Sequence, residues 1–367
     1  MRSQIGSYSQ CGLWRLEVII YLRVTMSWLS SFGETVLKDL FRFGTNNAVP
    51  GYFIALCIVV GFTFARAKKH RSVSLAVVRR AILPKRIWAS PSGRADIAFA
   101  LFGFSLSGAA YGWAILGEST VRSSVSGALT NQFGVIGPWI NRGPAIALTT
   151  LCLYLAYELG YWLDHYLKHR VEFLWRFHAV HHSAESLSPL TNFRVHPVDS
   201  IIFANILVLV TGAAAGLLDH FLGRTAQTLA IDGMNALMLA GFMLLSTLQH
   251  SHFWISFPGR FGRIFLSPAH HQIHHSTDPA HFNSNLGSTL AIWDYLFGTL
   301  CVPARSRQPI RFGVDGIMRP HSFKSMILMP FIEASAILIR GIRRIGQSSA
   351  APRFNEIRRE LAERRPA

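Results

Sequence analysis

Five stretches, each long enough to cross a bilayer and almost free of charge, constrain this chain more than anything else in it. A helix needs about 20 apolar residues to span the hydrocarbon core. Residues 43–65, 97–117, 200–218 and 233–251 contain no Asp, Glu, Lys or Arg, and residues 144–163 contain only Glu158. Uncharged runs of this length are rare in soluble folds. The whole chain of 367 residues is only 15% charged, where a soluble protein holds about a quarter. The sequence therefore predicts an all-α integral membrane protein with about four to five transmembrane helices. Disorder and an ordinary soluble enzyme are excluded.

The charges that remain set an orientation. There are 36 Lys and Arg against 19 Asp and Glu, a formal net charge of +17. The link containing Arg66, Lys68, Lys69, Arg71, Arg79, Arg80, Lys85, Arg86 and Arg94 holds no acid before Asp96. By the positive-inside rule it is cytoplasmic. Counting spans forward places the segment after Leu163 and everything after about Ser251 on the same side. The basic tail, from Arg340 to Arg365, lies there too. Basic charge is thereby explained without nucleic acid as a partner. Residues 13–29 are apolar but broken by Arg15, Glu17 and Arg23, which suits an interfacial amphipathic helix better than a secretory signal. Residues 324–339, apolar around Glu333, read as lying in the interface or dipping into it. The four cysteines are far apart and form no C-x-x-C pair, so a reducing interior is the easier reading.

Histidine is the third anomaly. Thirteen of the 16 fall into two windows of 32 residues, 165–196 and 250–281, where uniform scatter would place about three of the sixteen. Each window opens at the predicted cytoplasmic end of a span. His165 and His169 are i and i+4, on one helical face. His178, His181 and His182 read H-x-x-H-H, and His271, His274 and His275 repeat it. Positions i, i+3 and i+4 of a helix converge, as metal ligands must. Eight such imidazoles exceed the needs of one tetrahedral zinc and suit two metal ions with open positions. Imidazole alone does not choose between iron, zinc and copper. Soluble di-iron bundles use Glu-x-x-His, and none occurs here. His70, His220 and His321 stand alone and read as solvated or hydrogen-bonded side chains.

The stretch from Tyr157 to Pro197, followed by QHSHF, SPAHHQIHHS and NLGSTLAIWDYLFGTL, resembles the fatty acid hydroxylase/sterol desaturase superfamily over roughly residues 145–302. Its boxes are H-x-x-x-H, H-x-x-H-H and a final H-x-x-H-H, with WD-x-x-FGT after the last. The resemblance implies a cytoplasmic helical cap carrying a histidine-rich dimetal site, built from two Fe ions. Its metal ligands would be His165, His169, His178, His181, His182, His271, His274 and His275, with His250 added from the Q-H-S-H segment and His196 from R-V-H-P. His252, His270 and His281 receive no assigned role. The chain divides accordingly: 1–43 an amphipathic interfacial segment, 44–143 the first spans and basic link, 144–302 the catalytic domain, 303–367 an interfacial segment and basic tail.

Such a family member would hydroxylate or desaturate a lipid, whether sterol, fatty acyl, sphingolipid or related, using O2. Attack on an unactivated C–H bond is beyond acid–base side chains and belongs to a metal–oxygen chemistry. The chain shows no Gly-x-Gly-x-x-Gly, no iron–sulfur cysteine set and no His-Pro-Gly-Gly. Electrons would therefore come from a separate protein, a ferredoxin or a cytochrome with its reductase. Asp164, Glu172, Asp199 and Asp294 are candidates to orient imidazoles. The setting would be the inner membrane of a bacterium or the endoplasmic reticulum of a eukaryote. The alternative is a zinc-dependent membrane hydrolase or metal-handling protein using the same histidines. No H-E-x-x-H supports a protease, and a transporter would place ionisable groups inside the spans.

Overall fold

The computed structural model describes residues 84–111, 116–231, 233–314 and 321–363, together with a few positions between 54 and 80. After a single turn, Lys85–Trp88, the helices are α1 (Pro91–Tyr111), α2 (Glu118–Phe133), α3 (Arg142–Arg170), α4 (Glu172–His182), α5 (Pro197–Leu222), α6 (Ala236–Leu244), α7 (Pro268–His274), α8 (Ile292–Leu296) and α9 (Phe323–Glu363). The described β-structure is one two-stranded ribbon, Ala230–Ile231 against Met234–Asn235, and two isolated bridges, Phe265 to Leu290 and Ser276 to Phe312. Among the described residues three helices are long and apolar enough to cross a membrane: Arg142–Arg170, Pro197–Leu222 and Phe323–Arg343.

Two of these coincide with sequence-predicted spans. Helix α3 takes in 144–163 and runs on through the first histidine pair. Helix α5 takes in 200–218; it opens on His196 and Pro197 and stops at Gly223, which adopts the left-handed φ of 61° that a C-terminal stop requires. Glycine also lets helices approach. A Cβ on Gly216 would lie 2.5 Å from the Arg122 carbonyl oxygen of α2, and one on Gly160 of α3 would lie 3.0 Å from Leu207 of α5. The α2–α5 contact is closed by Arg122, whose guanidinium pairs with Asp219 at 2.6 Å.

One expectation differs from the structure. Residues 233–251 do not form one continuous helix. Gly233 turns with φ 79°, Asn235 caps α6 by accepting from the Leu237 N–H, and α6 ends after nine residues in a 3-10 turn, Ser246–Leu248. The segment around Glu333, expected to lie in the interface or dip into it, is the first half of the 41-residue α9. Its apolar face packs on α4 and α1 through Met326, Val180, Ala95 and Phe99, and Glu333 meets Arg176 of α4 at 3.5 Å. The predicted span 43–65 and His70 lie outside the described residues, apart from isolated positions.

The link between α3 and α4 positions the site. Val171 alone joins them: its N–H closes α3 on the Leu167 carbonyl, and its carbonyl accepts the Trp175 N–H to open α4. The chain therefore folds back within one residue, bringing the last turns of α3 against α4.

Candidate metal centre

Nine imidazoles gather where α3, α4, α7 and the turn after Leu248 meet. They form two groups within which the ligand nitrogens lie within 4.8 Å of one another: His165, His169, His178, His182 and His274 in one, His181, His250, His271 and His275 in the other. The H-x-x-H-H spacing of α4 divides between them, His178 and His182 facing the first group and His181 the second. The groups adjoin, with the His182 and His275 rings stacked at 4.4 Å. Eight of the nine are buried to 7% exposure or less, and His169 is half-buried.

The donor set fits metal ions. In the second group the Nε2 atoms of His181 and His250 stand 3.0 Å apart, those of His250 and His271 2.8 Å, and those of His271 and His275 3.1 Å. In the first, Nε2 of His169, His182 and His274 is buried with no hydrogen-bond partner. A neutral Nε2 carries either one hydrogen or one lone pair, so hydrogen bonds cannot satisfy all three contacts of the second group at once, whereas a single cation would take a lone pair from each ring. Burial holds His181, His182, His271 and His275 well below the ordinary imidazole range, and His274 at about 3. At neutral pH the rings are uncharged, the state that coordinates a metal.

Distal nitrogens are held unequally. The His165 Nδ1–H donates to the Leu286 carbonyl at 2.8 Å, and the His274 Nδ1–H to the Ser284 carbonyl at 2.9 Å. The His178 Nδ1–H donates to Asp199 at 3.0 Å. Asp199 also pairs with the buried Lys168 ammonium, which holds Asp164 at 2.7 Å. Of the four acids predicted to orient imidazoles, then, Asp199 does so directly. Asp164 acts on Lys168, while Glu172 lies at the surface against Arg176. Asp294 binds the Leu286 and Gly287 N–H groups, beside the carbonyl that holds His165. Burial pushes its carboxyl up to about 6.

His196, predicted as a tenth ligand, stands apart. Its Nδ1 accepts the Val198 N–H as the N-cap of α5, so its Nε2–H donates to the Ile327 carbonyl of α9. Both nitrogens are used in tying two helices together. His270 is likewise a cap: Nδ1 accepts from Ser267 N–H and Oγ–H, and Nε2 donates to the Gly262 carbonyl. His252 and His281 lie outside both groups. His220 contacts Thr130 at 3.3 Å and His321 contacts Glu185 at 3.1 Å, in keeping with their reading as ordinary side chains.

Sequence reasoning passed over Lys168 and Glu158. Glu158 is fully buried and accepts from Thr289 N–H, Thr289 Oγ–H and Leu290 N–H. Its signal was present, as the lone charge of an apolar run and seven residues, two helical turns, ahead of His165.

A cavity of about 540 Å³ opens onto the first group. His169, His182, His274 and His275 line it together with Trp175 and Phe282. It can admit part of a lipid-sized molecule to the imidazoles.

Residues 150–299 match the fatty acid hydroxylase family model. An ornithine lipid hydroxylase of Rhizobium tropici is 33% identical over 196 residues, covering 53% of this chain and 53% of that protein. Alkylglycerol monooxygenases are similar over shorter segments: 24% identity across 43% of this chain and 28% of the protein in Caenorhabditis elegans, and 27% across 40% and 29% in Homo sapiens. The match spans about half the length of the first relative and under a third of the others. No solved structure matches.

Proposed function

From the membership of residues 150–299 in the fatty acid hydroxylase family, we propose that this chain is a membrane-bound, O2-dependent oxygenase that modifies a lipid at a non-haem di-iron centre. The observation that carries the reading is the pair of buried groups of five and four imidazoles, converging on their Nε2 atoms with no carboxylate among the ligands. Bound iron would supply reductive activation of O2 and removal of hydrogen from an unactivated C–H bond. Everything else falls to the protein. His165, His169, His178, His182 and His274 hold one ion, and His181, His250, His271 and His275 the other. Asp199 and the Leu286 and Ser284 carbonyls fix ring orientation and tautomer. Trp175 and Phe282 line the approach, so that an apolar chain displaces water from the imidazoles it reaches.

The relatives' names speak of hydroxylating an ornithine lipid and of oxygenating alkylglycerols. Both are lipids with a polar head, and hydroxylation of that class of substrate is the form we favour over desaturation. Two electrons per turnover come from a separate ferredoxin or a cytochrome with its reductase, docked on the basic face. The site lies at the cytoplasmic end of α3, where Lys168 and Arg170 adjoin the ligands. Segments 43–65 and 97–117 complete the spans.

Protein purified anaerobically with its native metal tests the reading. Two iron atoms per chain and an O2-dependent, oxygenated lipid product are expected. Stoichiometric zinc with no O2 uptake overturns it and leaves the hydrolase or metal-handling alternative.

A further inference from the structure

The two metal positions are supported differently, and the difference traces to one loop. Residues 284–290 run past the first group of imidazoles and offer two carbonyls, Ser284 to His274 and Leu286 to His165. Both histidines belong to the five-membered group. In the four-membered group Nδ1 of His181 and of His275 is buried with no hydrogen-bond partner.

The loop cannot move without breaking buried bonds at both ends. Asp294 takes the Leu286 N–H at 2.7 Å, the Gly287 N–H at 2.8 Å and the Thr299 hydroxyl at 2.6 Å. Glu158 takes the Thr289 N–H at 3.0 Å, the Leu290 N–H at 2.9 Å and the Thr289 hydroxyl at 2.5 Å. Neither carboxylate is exposed to solvent. Asn285, held at φ 56°, ties the same loop to the His270 and Cys301 carbonyls. At Gly287 a Cβ would lie 2.9 Å from Asp294 Oδ2 and 2.6 Å from the Leu290 carbonyl. The carboxylate grips the backbone where no side chain fits.

We propose that Glu158 and Asp294 are positioning residues which, by clamping residues 284–290, set the metal affinity of the five-histidine position and leave the four-histidine position unaffected. A carbonyl fixed to within a fraction of an ångström fixes the imidazole that donates to it. Loss of such a partner typically weakens a metal by about 10–100-fold. Glu158→Gln puts an amide N–H₂ against backbone N–H donors, and Asp294→Asn does the same at Leu286 and Gly287.

The inference rests on the dimetal reading above, and the experiment separates the two. Full-length wild type, E158Q and D294N, metal-free in detergent, are titrated with Co(II) against a graded chelator. Bound metal per chain and the Co(II) ligand-field spectrum are followed. Wild type should bind two. Each variant should keep one ion at wild-type affinity and bind the other about 10–100-fold more weakly, with one of the two Co(II) signatures lost. His271→Ala should spare the signature that those variants lose. Two ions of unchanged affinity in E158Q and D294N, or parallel weakening of both, overturns the clamp. A wild type binding fewer than two overturns the dimetal reading with it. If neither variant folds, Thr289→Val, which removes the hydroxyl bonds to Glu158 and Tyr154 but keeps both backbone N–H bonds to Glu158, decides by the same selective weakening in milder degree.

Discussion

Asparagine at Asp96 should cost more stability than almost any other single conservative change outside the metal centre. Asp96 of α1 and Arg194, after the loop that follows α4, are both fully buried. Arg194 Nε donates to Asp96 Oδ1 at 2.6 Å, and Thr191 Oγ donates to Oδ2 at 2.7 Å. The guanidinium also donates to Ser183 Oγ at 3.3 Å, one residue beyond His182, and to the Ser92 carbonyl. Asp96→Asn preserves shape but strands the guanidinium without its counter-charge. Removing one partner of a buried pair costs about 3–5 kcal/mol. At about 2–4 °C per kcal/mol, the midpoint of unfolding in detergent should fall by about 6–20 °C. Tryptophan fluorescence or circular dichroism on the metal-free protein reads it. The Asp96→Leu, Arg194→Met double variant should recover a large part, because replacing both charges removes the desolvation cost together with the attraction. A fall below about 2 °C for Asp96→Asn, less than about 1 kcal/mol, would refute the claim that this pair latches α1 to the histidine-bearing segment.

His274→Ala should lose metal and turnover while the protein still inserts in the membrane; elemental analysis and product assay read both. His196→Ala should retain two metals and instead lose about 1–2 kcal/mol of stability, the scale of an N-cap, with thermal unfolding as the measure. Asp199→Asn frees the His178 Nδ1–H from its carboxylate and should weaken one ion about 10–100-fold in chelator competition. For pH the sign follows from the depressed imidazoles of His181, His182, His271, His274 and His275. Below about 6.5 the unfolded chain takes up protons that the folded chain refuses. Stability of the metal-free protein is therefore present above that value and lost on acidification. From pH 7 to 5 the loss should approach about 2 kcal/mol per such histidine, and denaturant midpoints that stay flat over this range would contradict it.

How far the sequence reached depended on the range of the interactions. Helices α3 and α5 were legible because membrane length and apolarity are properties of consecutive residues. Eight of the nine clustered imidazoles were legible because helical spacing is local, whereas His250 was reached only through the family resemblance. His196 misled: its neighbours in sequence suggest a ligand, but an imidazole before Pro197 can also cap a helix. Residues 233–251 misled for a related reason. Hydropathy records transfer free energy, whereas the late start of α6 is set by its N-cap Asn235, whose amide N–H₂ goes to the Thr150 carbonyl 85 positions away. The link from Glu158 to Thr289 spans 131 positions and that from His165 to Leu286 spans 121. Such pairs exist only once the fold has formed.

The unbroken course of α3 makes chain length itself a determinant of chemistry. Glu158 and His165 are seven residues apart, about 10.5 Å along the axis and about 20° short of two full turns. One inserted residue between them would swing the imidazole by about 100° and lift it by about 1.5 Å, turning it from the 284–290 loop while leaving every residue of the site present. Substitutions along this stretch can be graded by chemistry, but insertions cannot. Seven is the smallest increment that restores phase to within about 20°, and it would then carry the ligands about 10 Å along the axis. The helix is a rod cut to length, and a site complete in composition would still be lost by an error in counting.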